Sequence, residues 1–130
     1  MSQENVEIVR RGYDAAIRED FATVRELVMD DFEMHSVFLP GRVLRGPSAI
    51  EQLYDEIGEG LADYRQEVEQ LIDAGDRVVA LTRLTGIGKE SGAEVSQRYA
   101  TVWTLRDGKL LKGVSYTDRA DALTSVGLRE

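Results

Sequence analysis

His35 is the only histidine in the sequence, and imidazole is the one side chain whose ordinary pKa suits proton transfer near neutrality. It falls within Phe32-Glu33-Met34-His35-Ser36-Val37-Phe38, which alternates as a half-buried strand does. Phe32, Met34 and Phe38 form the apolar face of that run, so His35 shares the other face with Glu33 and Val37. His35 is either a general base facing a pocket or a surface or dimer-contact histidine, depending on which face lines the pocket. Asp118 offers a second proton carrier. In an apolar pocket beside Val114 and Tyr116 its pKa would rise toward the useful range, and the alternative is that it caps a terminal helix.

Other side chains could hold a ligand. Tyr13 lies on a buried helical stripe, where its hydroxyl needs a partner, either a ligand oxygen or a core carbonyl. Tyr54 lies on the inward face of a later helix. Trp103 shares a strand face with Tyr99, Thr101 and Leu105, whereas Arg98, Ala100, Val102 and Thr104 share the other. Arg98 could clamp a carboxylate or enolate oxygen, or pair with glutamates on neighbouring strands. Tyr116 lies on the last strand run, on the same face as Asp118, which ends it.

The elements that must position these residues read clearly. Val6, Val9, Tyr13, Ala16 and Ile17 mark an amphipathic helix over about 3–18. Asp20 can cap a second helix with Phe21, Val24, Leu27 and Val28 on its buried stripe, ending near Asp30-Asp31. After the first strand, Gly46-Pro47 opens a third helix whose inward face is Ile50, Leu53, Tyr54, Ile57 and Leu61, weakened at Gly58 and Gly60. Tyr64 to Ile72 is extended, with Arg65, Glu67 and Glu69 on one side and Tyr64, Gln66, Val68 and Ile72 on the other, as in a strand at a sheet edge. Three β runs follow at about 76–88, 93–106 and 109–118. Asp107-Gly108 joins the last two in a type I′ turn, where both central residues need φ > 0. Ala120 to Val126 forms a short helix stopped by Gly127. Helices segregated from an antiparallel sheet define an α+β fold, with the sheet curved around the three N-terminal helices.

Composition narrows the function. The chain has 130 residues and no cysteine, which excludes thiolate chemistry, disulfides and cysteine-ligated metals. Twenty-four acidic against 16 basic side chains give a net charge of −8, a field that repels nucleic acid and anionic lipid. There is no phosphate loop, dinucleotide fingerprint or nucleophile elbow, and a lone histidine disfavours a metal site, so no cofactor is expected. The polar start Met-Ser-Gln-Glu-Asn and the lack of any run of membrane-spanning length lead us to expect a cytoplasmic protein.

Four segments carry a resemblance: Arg45-Gly46-Pro47-Ser48-Ala49-Ile50, Asp73-Ala74-Gly75-Asp76-Arg77-Val78-Val79, Val102-Trp103-Thr104-Leu105-Arg106-Asp107-Gly108-Lys109 and Tyr116-Thr117-Asp118-Arg119-Ala120-Asp121-Ala122-Leu123. With them the chain resembles the nuclear-transport-factor-2-like superfamily, and within it the SnoaL-like branch, over 1–130 as a single domain. The resemblance implies a cone-shaped α+β barrel with a pocket for a small hydrophobic molecule. The superfamily contains ketosteroid isomerases, polyketide cyclases, epoxide hydrolases, dehydratases and proteins without catalysis. In the isomerases a tyrosine of the first helix donates a hydrogen bond to the developing oxyanion, a place that Tyr13 matches. Their base is an aspartate just after the first strand, where this sequence has His35-Ser36. The resemblance therefore implies either cofactor-free acid/base chemistry, with Tyr13 as oxyanion donor and His35 or Asp118 as proton carrier, or a non-catalytic binding or interaction protein. A homodimer through the sheet is expected in both cases.

Overall fold

The computed structural model describes residues 2–128. Helix α1 (Ser2–Ile17) turns Val6, Val9, Tyr13 and Ala16 inward at helical spacing, while Ile17 stays 51 % exposed. Helix α2 (Phe21–Glu26) is shorter than its apolar stripe suggests. Asp20 caps it by accepting from the Thr23 N–H at 3.2 Å, but Val28 already begins strand β1 (Val28–His35). The stripe that reads as helix up to Asp31 is divided: Val24 is buried from the helix and Val28 from the strand, because pairing of β1 with a neighbouring strand overrides local periodicity.

A two-residue strand, β2 (Leu44–Arg45), pairs back on β1. Helix α3 (Ala49–Gly60) starts two residues after Pro47, with Ser48 at its N-cap and Ile50, Leu53, Tyr54 and Ile57 buried. It runs through Gly58 to Gly60, and Leu61 already belongs to the next strand. Strands β3 (Leu61–Ala74), β4 (Arg77–Gly88), β5 (Glu94–Arg106) and β6 (Lys109–Tyr116) form the long antiparallel part of the sheet. Asp107 and Gly108 have φ of 52° and 76°, the pair of positive values that a type I′ turn demands. Helix α4 (Arg119–Ser125) closes the described chain.

The fold is α+β, with a curved, unclosed six-stranded sheet in the order β2-β1-β6-β5-β4-β3. It is not wholly antiparallel, because β1 pairs with β6 in parallel. β3 is an edge, as its one-sided charge implies, and a register shift between Val68 and Gln70 turns its end over. Leu71 consequently packs into the main core and Ile72 against the opposite face, although simple alternation puts Ile72 with Val68.

Two apolar clusters result. The larger fills the concave side, where α1 and α3 lie over Phe32, Met34, Val78, Ala80, Leu84 and Trp103. The smaller lies on the convex side, where Ala122 and Leu123 of α4 cover Val79, Leu81, Ala100 and Val102. Gly113 of β6 shows how tight the concave side is, since a Cβ there would lie 2.7 Å from Met34 Sδ and 2.8 Å from Trp103 Cζ3. No helix among the described residues is long and apolar enough to cross a membrane.

Candidate functional site

β5 delivers Tyr99, Thr101 and Trp103 to the concave side because alternate residues of a strand share a face. α1 adds Tyr13, α3 adds Tyr54, and β3 adds Gln66. The Trp103 indole N–H donates to the Tyr13 hydroxyl at 3.0 Å, and the two rings meet edge to face at 5.8 Å. The Tyr54 hydroxyl donates to Gln66 Oε1, and Gln66 Nε2 donates to the Tyr99 hydroxyl. Phe38, from the loop after β1, closes on Tyr99 with ring centroids 5.0 Å apart.

Burial pushes the hydroxyls of Tyr13, Tyr54 and Tyr99 up from their ordinary value, with neighbouring tyrosines adding to the effect at Tyr13 and Tyr54. They are neutral phenols at any physiological pH, so each keeps a proton to donate: Tyr54 gives its proton to Gln66, while Tyr13 and Tyr99 accept from Trp103 and Gln66. No Asp, Glu, Lys, Arg or His is among the described residues lining this interior. Its chemistry is recognition and polarisation of an oxygen atom, as a phenol does for a carbonyl.

Size sets a second condition. The space among these side chains is about 20 Å³, room for one water. A second void of about 20 Å³ lies across Tyr13, Tyr54 and Trp103, against Val9, Gly12 and Leu110. Beyond Tyr54 and Gln66 the surface opens into a cleft of about 530 Å³ between the end of α1 and β3, walled also by Ile17, Glu19, Tyr64, Arg65 and Glu67. That volume lies within the ordinary range of ligand sites, roughly 300–1,000 Å³.

Of the residues singled out from sequence, Tyr13, Tyr54 and Trp103 come together in this interior. His35 does not join them. Its Nε2 lies 3.1 Å from Glu33 Oε1, and it borders a shallow groove with Val37, Val43 and Val114. Glu33 also accepts from Arg45, and the bonds from His35 and Arg45 hold its carboxyl below the usual carboxylate range. Asp118 caps α4, accepting from the Ala120 N–H at 2.8 Å. Tyr116 packs against the convex cluster, and Arg98 pairs with Glu69 at 3.2 Å. Strand alternation is the reason in each β case: these residues occupy the outward positions of β1, β5 and β6. Among the described residues, no group of three or more His, Cys, Asp or Glu could hold a metal ion.

Tyr99, Thr101 and Gln66 are interior residues that the sequence reading did not select. A partial signal existed for Gln66, an amide on the apolar side of an edge strand, but alternation puts Gln70 on the same side and only the register shift between Val68 and Gln70 separates them. Tyr99 and Thr101 share the face of Trp103, but nothing in sequence says which face is concave.

An open α+β sheet curved over helices is the architecture of the nuclear-transport-factor-2-like proteins. The chain belongs to the SnoaL-like domain family, whose sequence model matches residues 9–112. No curated protein sequence matches it. Among solved structures it is similar to an NTF2-like protein from Burkholderia thailandensis, at 26 % identity over 87 % of this chain and 89 % of that one, with a TM-score of 0.78. It is also similar to a candidate SnoaL-like polyketide cyclase from Jannaschia sp. CCS1, at 25 % identity, 100 % and 96 % coverage and a TM-score of 0.76. A third similar structure is TerC co-crystallised with polyporic acid, at 21 % identity, 95 % and 98 % coverage and a TM-score of 0.74. Membership of the SnoaL-like family supports a small-molecule-binding protein.

Proposed function

We propose that this protein binds a small, largely hydrophobic molecule on the concave side of its sheet, with the Tyr13 hydroxyl donating to a carbonyl oxygen of that molecule. The observation that carries the reading is the composition of the interior: buried aromatic rings and three phenols that burial keeps protonated, without a charged neighbour in the lining. Tyr54 and Trp103 are the walls. Such a site suits binding with polarisation of the ligand better than acid/base turnover. His35, Asp118, Arg98 and Tyr116 stand outside it, and isomerase, cyclase or hydrolase chemistry would need a proton carrier brought by the ligand.

Screening by thermal shift against steroids, terpenoid epoxides, aromatic polyketide analogues and small carboxylates tests this reading. A ligand at a hundredfold excess over Kd stabilises the native state by about 2.7 kcal/mol. Trp103 is the only tryptophan, so its indole N–H resonance reports on the interior directly. A hit should move that resonance and weaken in Tyr13→Phe. Stabilisation that leaves the resonance in place would put the ligand elsewhere and end the proposal.

The proposal includes one SnoaL-like domain over 1–130 acting as a homodimer through the convex face. Because α4 covers the apolar centre of that face, the contact would rest on the flanking pairs Glu67–Arg83 and Glu69–Arg98. Sedimentation as a monomer at micromolar concentration would remove the dimer from the proposal.

A further inference from the structure

The interior holds only a water-sized space, yet one side chain in its wall is arranged to leave. We propose that Gln66 is a resident stand-in for the ligand's head group, displaced when a ligand with a neutral carboxamide-like head enters from the cleft between α1 and β3. The inference rests on the interior-binding reading above and names the ligand class for that site.

Three observations carry it. First, Tyr54 and Gln66 line both the interior space and the 530 Å³ cleft, so their hydrogen bond is the partition between the two. Second, Gln66 sits on an edge strand between two register shifts, one between Ala62 and Arg65 and one between Val68 and Gln70, with Asp63 at a φ of 52° just before it. Irregularities of this kind break the ladder and re-aim side chains, so this stretch of β3 yields more readily than the central strands. Third, the Gln66 amide accepts from one buried phenol and donates to another. A ligand that displaced it with apolar surface alone would leave the Tyr54 hydroxyl buried without a partner, a loss of roughly tenfold to a hundredfold in affinity, and would take from the Tyr99 hydroxyl its bond from Gln66, leaving it only Thr82.

The replacement must therefore present two hydrogen-bonding atoms on one planar carbon, as a primary amide or lactam does. A carboxylate has the same shape, but no cation lines the interior to compensate a buried charge. The rest of the ligand meets a mixed wall, apolar and aromatic at Ile17, Tyr54 and Tyr64 and charged at Glu19, Arg65 and Glu67. Ile17 is half exposed there, and the Tyr54 and Tyr64 rings lie nearly parallel, 6.5 Å apart at 19°. An aromatic carboxamide or lactam fits both halves.

The test titrates the full-length protein with naphthalene-2-carboxamide, 2-naphthoate and naphthalene, reading affinity by calorimetry and the Trp103 indole N–H resonance by NMR. The carboxamide should bind at least tenfold tighter than either companion, and Tyr99→Phe should erase most of that preference. In Gln66→Ala the internal competitor is gone, so the carboxamide should bind about tenfold tighter still, a gain that a merely structural glutamine would not produce. If Gln66→Ala does not fold, Gln66→Ser serves the same comparison. Equal affinity for the three probes, or no gain in the Gln66 variant, overturns this inference while leaving the interior-binding reading intact. Failure of all three to bind either protein or to move the Trp103 resonance counts against both.

Discussion

Strand β5 separates two regions of very different character. Tyr99, Thr101 and Trp103 point to the concave side and are buried among rings and neutral hydrogen-bonding groups, whereas Arg98, Ala100 and Val102 point to the convex side, toward ion pairs and α4. The same division runs across the sheet. The Glu33–His35 contact and the ion pairs Glu67–Arg83 and Glu69–Arg98 all lie outward. The interior has donors that cannot ionise at ordinary pH and no fixed charge among the described residues that line it. A charge inside would be desolvated without compensation, so proton-carrying groups sit where water can reach them and recognition groups sit where it cannot. The contrast explains why the histidine that looks most chemical in the sequence faces away from the cavity that its neighbours Met34 and Ser36 line.

The strongest way to break the contrast is to force charge onto the concave face. Burial raises the folded-state pKa of Tyr13, Tyr54 and Tyr99 above the unfolded value near 10. The stability they contribute is complete below about pH 10 and is lost as pH rises beyond it, because only the unfolded chain releases these protons readily. Tyrosinate absorbance from these rings and loss of far-UV ellipticity should therefore rise together above pH 10. Interior tyrosinate in a protein that stays folded would show that the concave side tolerates charge.

A smaller effect sharpens it. Trp103→Ala removes the ring that meets Tyr13 and stacks on Phe32 at 6.3 Å, and should cost about 3–5 kcal/mol in urea unfolding. A loss below about 1 kcal/mol would mean that the interior collapses readily and is not a held cavity. The smallest effect belongs to the convex face. Arg98, largely exposed beside Glu69, should cost no more than about 1 kcal/mol when changed to alanine, and that cost should shrink in high salt. A larger, salt-independent loss would place Arg98 in a structural or functional role that its exposure does not suggest.

Much of the fold was legible because it rests on local signals. The apolar spacing of α1, the Asp20 cap, the alternation of β3 to β6 and the Asp107-Gly108 turn each depend on a few neighbouring residues. The misreadings occurred where distant pairing intervened. Val28 left its helix for β1, the parallel β1–β6 pair was unforeseen, and the register shift in β3 moved Ile72 to the convex face. The site was legible only in part, since Tyr13, Tyr54 and Trp103 announced themselves as bulky polar aromatics on buried stripes, while Gln66 and Tyr99 gained their meaning from each other across 33 positions.

By itself the sequence determined most of the elements, the Asp107-Gly108 turn, the family resemblance and, outside the register shift of β3, which residues share a strand face, because these follow from period and local backbone preference. Only the tertiary structure decided which face is concave. That choice depends on which side α1 and α3 cover and which side α4 covers, and it put the phenols inside and His35 outside. Alternation along a strand has no sign until another element packs against it.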